Sequence, residues 1–132
     1  MVLPSLDQAL ELPWDGAVAK SRGIYGFDSI DPRSRSFNMI RAKLMELRRD
    51  RKWRMVGIVS ATPNVGKSFI SANLAAALSR DPRLQTYLLD LDLRRASLTE
   101  LFGMAAAGNL LEFLGTDGRL AAPVGYRPQG ES

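Results

Sequence analysis

Residues 58–75 read IVSATPNVGKSFISANLA, and this stretch decides the fold. An apolar run enters a turn, and the turn ends in Gly66-Lys67-Ser68 at the start of a helical pattern. The run begins upstream as MVGIVS, residues 55–60, which is rich in Val and Ile and reads as a buried parallel strand. Residues 66–80 then read as a helix. Phe69, Ile70, Leu74, Ala77 and Leu78 are expected on its buried side, and Asp81-Pro82 ends it. A second apolar run, TYLLDLDL at residues 86–93, reads as another buried strand and carries Asp90 and Asp92. Strand, helix and strand in this order form a βαβ unit, which implies a parallel sheet and a right-handed crossover.

The turn has the spacing of a phosphate-binding loop, G-x-x-x-x-G-K-[ST], with Ala61 in place of the first glycine. Successive backbone N–H groups and the helix dipole make such a turn a concave anion site. Asn64, Val65, Gly66, Lys67, Ser68 and Phe69 are therefore the candidate nucleotide contacts. Gly66 lets the backbone approach a phosphate closely. Lys67 places a cation on the β- and γ-phosphates, and the Ser68 hydroxyl is a ligand for Mg²⁺. Pro63 fixes φ and removes a donor, so the nest must be built from the residues after it. The expected fold is an α/β P-loop NTPase, a parallel sheet with flanking helices, and the expected cofactors are ATP and Mg²⁺.

Asp90 and Asp92 are expected at the carboxyl end of the second strand, where open α/β sheets bind ligands. Two like charges there are costly without a cation, and Mg²⁺ on the nucleotide supplies one. Ser68, Asp90 and Asp92 are thus the candidate metal ligands, and Lys67, Asp90 and Asp92 the candidate catalytic groups. The bland alternative is that both acids cap a turn and pair with Arg94 or Arg95.

Composition narrows the field. The 132 residues suit one domain, and 45% hydrophobic with 24% charged residues marks a globular chain. With no Cys there is no disulfide framework or thiolate metal site, and with no His there is no Ser-His hydrolase. The N-terminal residues lack a basic start before an apolar core, and no run is long enough to span a bilayer. A cytoplasmic protein is expected, peripheral at the inner face of the plasma membrane only through a partner.

Residues 1–33 are interrupted by Pro and Gly and read as an extended lead-in, with a short helix expected at residues 6–12. From Ser34 to about Arg51, Phe37, Ile40, Leu44 and Leu47 make one apolar helical stripe. Basic residues crowd its other faces: Arg41, Lys43, Arg48, Arg49, Arg51, Lys52 and Arg54, against Glu46 and Asp50. The plainest reading is a solvated face; an acidic partner, an anionic lipid surface or nucleic acid would also suit it. Two short helical pieces follow, SLTELFG and NLLEFLG, each ending at a glycine, Gly103 and Gly115. Residues 116–132 read as a flexible tail, and residues 34–115 as a partial nucleotide-binding domain.

SATPNVGKSFISANLAAALS, then TYLLDLDLRRASL, then GNLLEFLG, together resemble the bacterial tyrosine kinases of capsule and exopolysaccharide synthesis. Residues 88–94, LLDLDLR, resemble that family's second motif, hhhD-x-D-x-R. The resemblance implies a P-loop domain related to the partition and division-site ATPases. It implies transfer of the ATP γ-phosphate to protein tyrosines, and a membrane-embedded polysaccharide chain-length regulator, a co-polymerase, as partner. Self-association is implied too, although the family segment E-x-x-R-x-x-R falls on Arg35, Asn38 and Arg41 and keeps only the last Arg. The family's apolar strand ending in Asp and its tyrosine cluster have no counterpart, Tyr126 standing alone. Two further readings stay open. One is a non-catalytic nucleotide-binding regulatory module. The other is a partition-type ATPase, which Thr62 disfavours where that branch carries a Lys, and nucleic acid is not an expected partner.

Overall fold

The structure, a computed structural model, describes residues 10–12, 16–63, 65–92, 97–102 and 126–128. These fall into two units. One is Ala19–Leu89; the other comprises Met1–Val18 and Asp90–Ser132. In chain order the elements are β1 (Leu10–Leu12), α1 (Gly16–Ser21), α2 (Arg35–Arg51), α3 (Lys67–Ser79), α4 (Ser97–Leu101) and β2 (Tyr126–Pro128).

The core of the first unit is the junction of α2, α3 and residues 23–26. Helix α2 is entered through a 3-10 turn, Pro32–Ser34, capped by Asp31. Phe37 faces inward, and Lys52 closes the helix in the left-handed conformation at φ 59. Helix α3 buries Ala72, Asn73, Leu74, Ala76 and Ala77. Phe69 and Ile70, expected on the buried side, are instead 41% and 39% exposed. The small side chains explain the shift, because they let other backbone come close. The Arg41 Nε donates to the Ala77 carbonyl at 2.8 Å. Gly26 lies against the backbone of Asn73 and Ala77, where a Cβ would collide with the Asn73 carbonyl.

Asn73 pins this junction. Its Oδ1 accepts from the N–H groups of Tyr25 at 2.6 Å and Gly26 at 3.1 Å. Its Nδ2 donates to the carbonyls of Gly23 at 3.0 Å and Phe69 at 2.9 Å. All four bonds that the amide can make are made, which is how a fully buried polar side chain is tolerated. Phe69 adds edge-on ring contacts with Tyr25 and Phe37, at centroid distances of 6.3 and 5.8 Å.

Where it is described, the N-terminal region expected as an extended lead-in holds a short strand and a short helix. Helix α1 ends in a Schellman motif: Ile24 N–H donates to the Ala19 carbonyl and Gly23 N–H to the Lys20 carbonyl. Gly23 takes φ +79, which a side chain would disfavour, and Ile24 behind it is buried. Leu10–Leu12 is a short strand rather than part of a helix. Pro13 follows, and the residue before a proline is pushed toward extended backbone. It pairs in parallel with Tyr126–Pro128, inside the segment read as a flexible tail.

The two runs read as buried strands behave differently from the helices. Residues 52–60 and 84–92 carry no strand ladder among the described residues. Met55 is 81% and Val59 89% exposed. A parallel strand satisfies its backbone only between neighbours, and the described residues of these runs show none. The α/β P-loop fold remains the expectation of the sequence.

Candidate functional site

The site begins at the turn before α3. Residues 61–63 are exposed, and the Ser60 hydroxyl donates to the Thr62 carbonyl at 2.9 Å. Asn64 lies outside the described residues. Val65 is exposed, and Gly66 stands at the N-cap of α3 at φ 89, ψ 15. That left-handed conformation is open to glycine at little cost and would strain other residues. Among the described residues, apart from its immediate neighbours in the chain and helix, no atom lies within 4 Å of the place a Cβ at Gly66 would occupy. No side chain at the N-cap bonds the first turn. The Gly66 carbonyl accepts from Ile70 N–H at 2.9 Å, so the helical ladder starts there. The first amides of a helix point out of its N-terminal end and gather partial positive charge there.

Lys67 and Ser68 are the first two residues of α3, and both are half-buried. The Lys67 carbonyl accepts from the Ser71 hydroxyl at 2.7 Å, which holds the first turn from inside. Phe69 is committed by its ring to Tyr25 and Phe37, so a contact of Phe69 with phosphate would come from its backbone. The donor set, a glycine-formed turn, a lysine and a hydroxyl at one helix start, fits a phosphate chain with a hard divalent cation.

Asp90 and Asp92 belong to the other unit. The Asp90 carboxylate turns back on its own chain. Its Oδ1 accepts from Asp92 N–H at 3.1 Å, and its Oδ2 accepts from Leu98 N–H in the first turn of α4 at 3.2 Å. This is the turn-capping arrangement weighed from the sequence as the alternative. Arg94 and Arg95, its suggested ion-pair partners, lie outside the described residues, as do Gly103 and Gly115. Among the described residues each Asp90 oxygen accepts one hydrogen bond, and a carboxylate oxygen has a second lone pair with which to ligate. Among the described residues, no three His, Cys, Asp or Glu side chains gather into a metal-holding group.

Sequence reasoning missed Asn73, the residue that fixes where the loop of residues 23–26 meets α3. Its signal was available, since a lone Asn within the apolar run of α3 needs buried partners. Arg41 and Asn38, which align with the self-association segment, are used within the chain. Arg41 binds the Ala77 carbonyl, and the Asn38 Oδ1 accepts from Arg80 at 2.5 Å. Burial, and then the nearby Arg41, pull the Arg80 guanidinium below its ordinary range.

No family model matches the chain, and no solved structure does. Curated relatives do match. The chain is 36% identical over 87 residues to a protein of Ralstonia nicotianae named as tyrosine-protein kinase EpsB. The match covers 66% of the chain and 12% of that protein. It is 34% identical over 84 residues to the EpsB of Ralstonia solanacearum, covering 64% of the chain and 11% of the relative. It is 38% identical over 74 residues to the succinoglycan biosynthesis transport protein ExoP of Rhizobium meliloti, covering 56% and 9%. The chain thus spans about a tenth of the length of the curated relatives it matches, and over that span it is related to proteins named for exopolysaccharide transport and tyrosine kinases.

Proposed function

We propose that this chain is the nucleotide-binding part of a tyrosine-kinase-like protein of exopolysaccharide synthesis and export, built on an α/β P-loop fold. The observation that carries the reading is Gly66, held left-handed immediately before Lys67 and Ser68 at the start of α3. The likeness to EpsB and ExoP supports the same assignment. In this reading the turn amides of residues 64–69 surround the phosphates of ATP. Lys67 neutralises the β- and γ-phosphates, and Ser68 with Asp90 and Asp92 holds Mg²⁺. Bound Mg²⁺ supplies charge neutralisation at the transferring phosphoryl group. One of the two aspartates orients the attacking hydroxyl by accepting its proton. A membrane-embedded chain-length regulator is the proposed partner.

Lys67→Ala removes a charge-assisted contact to phosphate, so ATP affinity should fall about ten- to a hundredfold by titration calorimetry. Unchanged affinity would remove the cradle from the reading. The Asp90 geometry favours a second reading, a nucleotide-binding regulatory module in which this aspartate is structural. Asp90→Asn separates the two. A metal ligand loses Mg²⁺-dependent binding, with Mg²⁺-free binding retained. A cap loses stability, with the Mg²⁺ dependence unchanged. Transfer of labelled γ-phosphate to tyrosine decides for the kinase.

A further inference from the structure

The C-terminal end of α2 carries a patch that the nucleotide site does not use. Residues 48–54 read RRDRKWR. All seven are exposed. Arg49 is paired with Asp50 at 3.0 Å. The side chains of Arg48, Arg51, Lys52 and Arg54 make no hydrogen bond or ion pair among the described residues. Four cations therefore stand uncompensated within seven residues, although the whole chain carries only +4. Lys52, at φ 59, turns the chain sharply out of the helix. Trp53 follows at once, 50% exposed and flanked by Lys52 and Arg54. The indole is thus half in water between two cations.

We propose that residues 48–54 bind an anionic lipid surface directly. The charge complements acidic headgroups. An indole beside Lys and Arg is the side-chain set of the membrane interface, where the ring sits at headgroup level and the cations reach phosphates. Each cation near an anionic bilayer contributes about a fivefold gain in partitioning. Duplex DNA would take the cations but has no unpaired base on which to stack the ring. The contact places the start of residues 55–60 at the membrane, and it does not depend on nucleotide binding.

The test is sedimentation of the full chain with vesicles of phosphatidylcholine, with and without phosphatidylserine. Binding is expected only to the anionic vesicles, and it should disappear in about 0.5 M salt as the charges are screened. The variant R48Q/R51Q/K52Q/R54Q should lose binding several hundredfold with its helical circular dichroism retained, because none of the four side chains has a hydrogen-bond or ion-pair partner to lose among the described residues. In a Trp14→Phe background, the emission of Trp53 should shift to the blue on anionic vesicles. Equal binding to neutral vesicles, no binding to either, or an unshifted Trp53 would overturn the proposal. Duplex DNA bound through the same four residues, without lipid binding, would overturn it in favour of nucleic acid.

Discussion

Helix α3 and the run of residues 55–60 are both apolar and nearly adjacent in sequence, yet one is buried and the other is exposed. Ala72 and Ala77 in α3 have no measurable exposure, whereas Val59 is 89% exposed. A helix satisfies its own backbone, so one packed neighbour is enough to bury its face. A strand leaves N–H and C=O groups to its sides and must find a neighbour at each edge before burial stops costing hydrogen bonds. Apolar composition is thus sufficient for α3, which has α2 and residues 23–26 against it. It is insufficient for residues 55–60 on the described residues alone.

The sharpest way to break the packed half of this comparison is Asn73→Ala. The substitution leaves the N–H groups of Tyr25 and Gly26 and the carbonyl of Gly23 without the partners they have in the native protein. Each buried unsatisfied group costs about 1–3 kcal/mol. A loss of about 3 kcal/mol or more is expected by urea denaturation, enough to unfold a marginal unit. A loss below about 1 kcal/mol would mean that residues 23–26 contribute little to the core.

The same contrast explains what was legible in the sequence. The sequence places helices α2 and α3 to within a residue or two, because Phe37, Ile40 and Leu44 and the Asp81-Pro82 stop are local signals. The place of Gly66, Lys67 and Ser68 at the start of α3 is legible for the same reason, since spacing alone puts them at a helix start. The docking of residues 23–26 was not legible. It rests on Gly26 touching a backbone dozens of residues away and on Asn73 bonding to it, and neither leaves a periodic trace. Helix α1 escaped because it has only six residues, although Gly23 followed by Ile24 is the sequence trace of its Schellman end. The sequence leaves the capping of α4 by Asp90 undecided, because a D-x-D pair serves a metal or a turn equally well.

A smaller effect comes from two turns with the same sequence, Asp31-Pro32-Arg33 and Asp81-Pro82-Arg83. In each, the aspartate accepts from the arginine's backbone N–H, at 2.9 and 3.0 Å, and the arginine's Nη2 donates to it at 2.7 Å. The arginine guanidinium, then the backbone N–H, holds each carboxyl well below its ordinary value near 3.8. A carboxyl whose folded pKa is depressed contributes stability above its unfolded pKa and loses it as pH falls through the folded value. Stability should therefore be level above about pH 5 and decline below about pH 4. The double variant D31N/D81N should flatten that acid limb in denaturant midpoints measured from pH 6 to pH 2.5. An unchanged slope would mean that other carboxyls control it.

The smallest effect is the most informative about the exposed half. Val59 touches little in this chain, so Val59→Thr should change stability by less than about 0.5 kcal/mol, as surface substitutions do. The same change in a buried parallel strand would place a hydroxyl in the sheet and cost about 1–3 kcal/mol. Measuring the variant with and without saturating ATP and Mg²⁺ turns the number into a test of folding on binding. A near-zero cost in both states leaves residues 55–60 exposed throughout. A cost that appears only with nucleotide means that the ligand draws the run into a sheet, because only burial gives that hydroxyl a penalty.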